Sequence, residues 1–347
     1  MPVEPVANLT RVGIGITTAE NKVVAAQILP DTVSSELAPR VERIFRGAGR
    51  GSLGPRGAHT ARVWVEGGLT CEATPVVTGY LLQGLGLPPT TTGTGPYTHT
   101  WRLATVLPSR WLSIVHAFND LTRQFAFGGC AAQRLRLAWD AERDEPLTID
   151  LDLIGAKFLV FNNESVVLGS AGGDAGDPFI TPLAKVELPD GTLINRCISG
   201  NLEVTLEREL RWTVRGSVFP RGHQPYRELR VRGSLTLTFE SDDEIRRFLN
   251  QVGATIFPLA HRNDPGADAV SLEIFWDPSP SSQFRILMNR VVFTAAQHRV
   301  RVGESIVQEL DFEAFFDATN AFTVQFTLIN NTASYPAGTE IGAGYGE

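Results

Sequence analysis

One run of residues occurs twice in this chain, and that constrains its fold more than any composition figure. Val65-Glu66-Gly67-Gly68-Leu69-Thr70 returns as Val231-Arg232-Gly233-Ser234-Leu235-Thr236, an offset of 166 residues. Thr74 then corresponds to Ser241, and Tyr80 to Gly86 corresponds to Arg247 to Gly253, at an offset of 167. Gln124-Phe125 meets Gln283-Phe284, and Leu151-Asp152-Leu153 meets Leu310-Asp311-Phe312, both at an offset of 159. Three blocks that keep their order and nearly keep their spacing predict two tandem copies of one domain. A chain of 347 residues has room for two such cores.

The repeated blocks carry the same local chemistry. Ser241-Asp242-Asp243-Glu244 is a capping box, in which a hydroxyl and a carboxylate satisfy free N–H groups at a helix start. Ile245, Phe248, Leu249 and Val252 follow on one helical face, and Gly253 supplies the stop. In the first copy Thr74 is the cap, Pro75 takes the first helical position and Gly86 is the stop. Elsewhere the period is two. Leu147 to Leu153, Leu202 to Leu206, Val231 to Phe239 and Phe322 to Ile329 alternate apolar with polar residues, as half-buried strands do. Trp212 to Val214 is read as a further strand, and another is expected near Ala61 to Val65.

The expected fold is mainly β: two tandem antiparallel β-sandwich domains, each with one short flanking α-helix. The expected divisions are an N-terminal arm over 1–20, domain one over 21–161, a Gly-rich linker over 162–178, domain two over 179–333 and a C-terminal arm over 334–347.

Composition excludes several functions. Asp and Glu number 38 against 31 Lys and Arg, so a net charge of -7 disfavours wrapping nucleic acid through its phosphates. The N-terminus, MPVEPVANLT, has neither the basic nor the apolar region of a secretory leader. Prolines and threonines interrupt the longest charge-free stretch, so no membrane span is expected. Cys71, Cys130 and Cys197 form no CxxC pair, and the six histidines are dispersed without metal-ligand spacing. Gly49-Arg50-Gly51-Ser52-Leu53-Gly54 has the letters of a dinucleotide loop but lacks the helix that must follow. No catalytic residue, cofactor or metal ligand is nominated.

Two groups of charged residues remain. Asp150 and Asp152 share one strand face, and Glu309, Asp311 and Glu313 share the equivalent face in the second copy. Paired carboxylates suit general acid–base work, but a face acidic in both copies better suits something that passes in front of it. Arg46, Arg50 and Arg56 flank a Gly-rich loop and are suited to an acidic partner surface.

With these residues in place the chain resembles the tail tube proteins of long-tailed, non-contractile bacteriophages. The resemblance rests on Val65 to Thr70 followed by a helix, and on Asp177-Pro178-Phe179 leading to Ile198-Ser199-Gly200-Asn201-Leu202. It also rests on Val231 to Phe239, on the hairpin Phe284 to Thr294 with Glu304 to Phe316, and on Phe326 to Asn331. In that family six β-sandwich domains form a ring, and rings stack into a tube that conducts DNA. Two domains per chain then imply homotrimeric, pseudo-hexameric rings. The resemblance makes the carboxylate face a channel lining and the arginine loop a ring-stacking element. It implies partners in the tape measure protein, tail tip and tail terminator proteins, and passing genomic DNA without sequence-specific binding. It implies no membrane, and a virion component assembled in the host cytoplasm. A trimeric tail hub or baseplate protein is the alternative within phage structure. A carbohydrate-binding β-sandwich with tryptophan platforms is the alternative outside it.

Overall fold

Alternation decides the strands. In Thr148–Gly155, Ile149, Leu151 and Leu153 are buried while Asp150 and Asp152 face outward. The computed structural model describes residues 10–46, 57–104, 108–118, 124–162, 167–168, 171–174, 176–187, 194, 196–214, 217–224, 227–239, 269–299 and 306–341.

The first half comprises β1 (Thr10–Thr17), β2 (Ile28–Leu29), β3 (Val33–Ser35), β4 (Ala38–Arg46), β5 (Gly57–Glu72), α1 (Val77–Gln83), β6 (Thr90–Thr92), β7 (Tyr97–Leu103), β8 (Trp111–Phe118), β9 (Gln124–Asp140), β10 (Thr148–Gly155) and β11 (Lys157–Phe161). After β12 (Gly172–Gly173), the second half comprises β13 (Lys185–Glu187), β14 (Cys197–Leu206), β15 (Leu210–Arg211), β16 (Gly222–His223), β17 (Leu229–Thr238), β18 (Val270–Ser279), β19 (Ser282–Arg299), β20 (Val307–Ala314) and β21 (Val324–Asn330).

One antiparallel sheet runs through both halves in the order β4-β5-β10-β9-β14-β17-β20-β19. Two long strands, β9 and β19, leave it at one end and continue into a second layer. There β9 pairs with β8 and β11, and β19 pairs with β18 and β21. The pairing pattern recurs between the halves down to its irregularities. The β10–β9 register slips between Asp152 and Leu153, passing over Gln133. The β20–β19 register slips at the corresponding place, between Phe293 and Ala295, passing over Thr294.

The halves are joined twice, by β14 on β9 and by β21 on β7. One core cluster runs across both. At the junction Trp139 meets Trp276 edge-on at 6.0 Å, and Trp276 stacks on Phe284 at 5.8 Å. Gly200 is required there, because a Cβ would lie 2.4 Å from the Trp139 ring.

The first helix forms but is shorter than its sequence predicts, spanning Val77–Gln83 and beginning two residues after Pro75. The Thr74 hydroxyl accepts the Val77 N–H at 3.0 Å, and Gly86 takes the left-handed conformation at φ +95°. The corresponding second helix, Ser241 to Gly253, lies outside the described residues. The strand expected over Trp212 to Val214 is absent: the pairing stops at Arg211, and Val214 is fully exposed. That run has no second apolar face to bury. Tyr97–Leu103 is a strand because β21 gives its backbone a partner.

Residues 334–341, placed in an arm by the sequence, lie against the first half. Gly338 and Ile341 donate N–H bonds to the Ile16 and Val23 carbonyls at 2.7 and 2.9 Å. Tyr335 is buried beside α1, with its hydroxyl 2.7 Å from Asn330 Nδ2. A Cβ on Gly79 would sit inside the Tyr335 ring, 2.0 Å from Cζ. Tyr335→Ala is expected to cost about 3–5 kcal/mol in urea unfolding, the scale of a buried aromatic truncation. Gly79→Ala is expected to destabilise the parent chain strongly and the Tyr335→Ala chain much less. Equal costs in both backgrounds would contradict this packing.

Candidate functional site

The outward face of the eight-stranded sheet carries the sequence-predicted carboxylates together with arginines that face them across the strands. Asp150, Arg136, Glu203, Arg232 and Glu313 stand opposite one another in a single row. Their charges alternate in sign from β10, across the junction between the halves, to β20. The next row sets Asp152 opposite Arg134, Arg134 opposite Thr205, and Thr205 opposite Arg230.

The contacts follow this register. Arg136 Nη2 lies 2.9 Å from Asp152 Oδ1, and Arg134 Nε lies 3.7 Å from Asp152 Oδ2 and 3.8 Å from Glu203 Oε2. Arg232 Nη2 is 3.2 Å from Glu313 Oε1, and Arg299 Nη2 is 2.8 Å from Glu309 Oε1. Asp311 stands opposite Ser234 and Ala295. These side chains are partly exposed, so each pair contributes roughly 0.2–1 kcal/mol. Their effect is to set the face's charge pattern rather than to hold the fold.

The carboxylates therefore share one face, as expected, but that face is mixed in charge. Sequence reasoning missed Arg134, Arg136, Glu203 and Arg232. Alternation in Arg134-Leu135-Arg136 was visible, yet only strand order shows which acids these arginines meet.

The sheet ends in two edge strands. Among the described residues, β4 pairs only with β5, and Phe293 to Arg299 of β19 pair only with β20. In the β4–β5 hairpin, Ile44 and Phe45 are exposed by 61% and 65%. Arg46 ends β4 opposite Gly57, while Arg50 and Arg56 lie outside the described residues.

The corresponding hairpin of the second half, β14–β17, is folded down onto the first half. From the excursion between its strands, Val218 accepts the Val63 N–H at 2.8 Å, and His223 Nε2–H donates to the Gly129 carbonyl at 2.6 Å. Trp212 packs edge-on against Trp64 at 6.5 Å with Arg62 over its ring. The Arg208 guanidinium is buried and donates to the Leu85 carbonyl.

Burial pushes the thiols of Cys71 and Cys130 up to about 12 and that of Cys197 up to about 11, so all three stay protonated. Among the described residues no three His, Cys, Asp or Glu side chains gather as metal ligands do. Trp101, Trp111, Trp139 and Trp276 are buried in packing contacts, which removes them as sugar platforms.

A charge-laddered sheet with two open edges and an exposed apolar hairpin defines a β-rich structural subunit. Residues 7–314 match the family described as phage tail tube protein, and the chain belongs to that family. It is a structural component of a phage virion. No curated protein matches the chain.

Acid should loosen the junction. Burial, with the nearby Arg208 charge, lowers the His223 pKa to about 4, against the opposing hydrogen bond to Gly129. Burial likewise lowers His116 to about 4. Both rings are neutral when folded, and their unfolded forms take up protons near pH 6.5. Their stabilisation is therefore complete above that pH and is lost as pH falls from about 6.5 to 4, on the order of 3 kcal/mol for each ring. Unfolding free energies should fall across this window and fall less in His223→Gln. An unchanged slope in that variant would contradict the assignment.

Proposed function

We propose that this chain polymerises as stacked trimeric, pseudo-hexameric rings that form the tube through which a siphovirus-like phage ejects its DNA. The observation that carries this reading is the eight-stranded sheet, open at β4 and at β19, with its apolar face covered and its polar face bare. The matching slips at Gln133 and Thr294 support two tandem tail-tube domains, each giving four strands to that sheet. Three chains joined edge to edge give a closed barrel without free edges. At the usual strand spacing and tilt its backbone is about 45–50 Å across, which leaves a bore wider than duplex DNA after side chains are added.

In this reading Asp150, Asp152, Glu309, Asp311 and Glu313 line the channel, each among the arginines and hydroxyls of the rows above. A wall of alternating charge offers phosphates no continuous basic track, so DNA gains little by counterion release and slides. The tape measure protein occupies the same bore before ejection. The loop bearing Arg46, Arg50 and Arg56 contacts the adjacent ring, and the tail tip and terminator proteins close the ends. Assembly takes place in the host cytoplasm.

Electron microscopy of the concentrated or warmed protein tests the reading: stacked tubes support it, whereas isolated trimers identify a tail hub and persistent monomers exclude both. The lining has its own test. Asp150→Asn and Asp152→Asn with Glu203→Gln and Glu313→Gln leave Arg134, Arg136 and Arg232 without their acids. Phage built with this chain should assemble normally but eject DNA several-fold more slowly at low salt, with the difference shrinking as salt rises. Normal ejection at all salt concentrations would remove these residues from the channel.

A further inference from the structure

The second layers of the two halves are built from corresponding strands, but among the described residues only the second half receives a strand from outside itself. Gln283 of β19 stands opposite Ile329 of β21 as Gln124 of β9 stands opposite Phe161 of β11, so β11 corresponds to β21. On its other side β21 pairs with β7, which belongs to the first half and brings β6 with it. Trp101 stands opposite Phe326 and His99 opposite Leu328, and all four are fully buried. A strand of the first half thus covers the core of the second at this edge.

The matching edge of the first half is open among the described residues, where β11 pairs only with β9. Phe158 and Val160, which correspond to Phe326 and Leu328, are half-buried. Phe158 stacks on Phe127 at 5.4 Å and meets Phe125 at 5.8 Å, and Phe125 meets Phe118 edge-on at 5.6 Å. Phe118 and Phe125 are half-buried too, whereas Phe284, the counterpart of Phe125, is fully buried. An open strand edge and a half-covered aromatic cluster coincide.

The repeat identifies what fits there. In the first half, β7 lies between the helix stop Gly86 and β8. In the second half β18 corresponds to β8, since Ile274 stands opposite Ile286 as Ile114 stands opposite Phe127. The stretch in the equivalent position is therefore 254–268, between Gly253 and β18, and it contains the apolar residues Ile256, Phe257 and Leu259. It lies outside the described residues. The first half gives β7 forward to the second half of its own chain. In a closed ring of tandem halves, the half that follows the second is the first half of a neighbouring copy.

We propose that residues 254–268 of each chain cover the β11 edge of the neighbouring copy, as β7 covers β21 within one chain. This rests on the ring reading above but concerns the second layer, apart from the β4 and β19 edges of the barrel. Ile256, Phe257 and Leu259 then supply apolar cover to the neighbour's Phe125, Phe158 and Val160. Each first half is completed only by assembly.

The test is Phe158→p-benzoylphenylalanine, irradiated in tubes and in dilute monomers. Tubes should yield chain-to-chain cross-links whose partner peptide, read by mass spectrometry, falls within 254–268, and dilute monomers should yield no link to that segment. A link to it in monomers, chain-to-chain links only to other segments, or no link in tubes overturns the inference and leaves the tube reading standing. A parent chain that never assembles overturns the tube reading and this inference with it. Should the variant alone fail to assemble, hydrogen exchange on the parent decides. The amides of β11 that do not bond to β9 should exchange at least tenfold more slowly in tubes than in monomers. Equal exchange in both states would overturn the proposed cover.

Discussion

Everything in this protein depends on where a β-sheet is allowed to stop. Each edge strand presents a row of N–H and C=O groups that must find water or another strand. The β9 edge is satisfied inside the chain by β14, which fuses two four-stranded units into one sheet. The same solution is left open at β4 and β19. Pro39, the second residue of β4, is of a type that sheets tolerate at edges and strand starts, and it limits promiscuous pairing.

The two faces of the sheet divide the remaining work. The inner face buries Leu69, Leu135, Leu151, Val204, Leu235 and Leu310 in one core, so it fixes register: a slip by one residue would turn the arginines and carboxylates inward. Register in turn sets the order Asp150, Arg136, Glu203, Arg232, Glu313 on the outer face. The charge pattern is thus a consequence of apolar packing on the opposite side, and not of the weak exposed ion pairs themselves.

Much of the fold was legible in the sequence because periodicity two is a local property. The strands at Leu147 to Leu153, Leu202 to Leu206 and Val231 to Phe239 lie within a few residues of their expected bounds. The Thr74 cap and the Gly86 stop were legible because each acts within a turn. What depended on distant partners was not. β7 is a strand only because β21 lies beside it, and Tyr335 is a core residue only because Gly79 makes space for its ring. The carboxylate face was found, yet its arginines were not, since their opposition depends on strand order. That the excursion between β14 and β17 packs on β5 through Val218 and Trp212 is visible only in three dimensions.

The central claim is that six tube-like units come from three chains joined at β4 and β19. The direct measurement is the mass of the smallest closed assembly, obtained by native mass spectrometry as the protein is brought to the threshold of polymerisation. With a chain of 37.8 kDa, the account predicts a species of three chains and no stable species of six lacking that trimer. A six-chain ring as the smallest closed assembly would mean that one half alone builds the wall, and would contradict it.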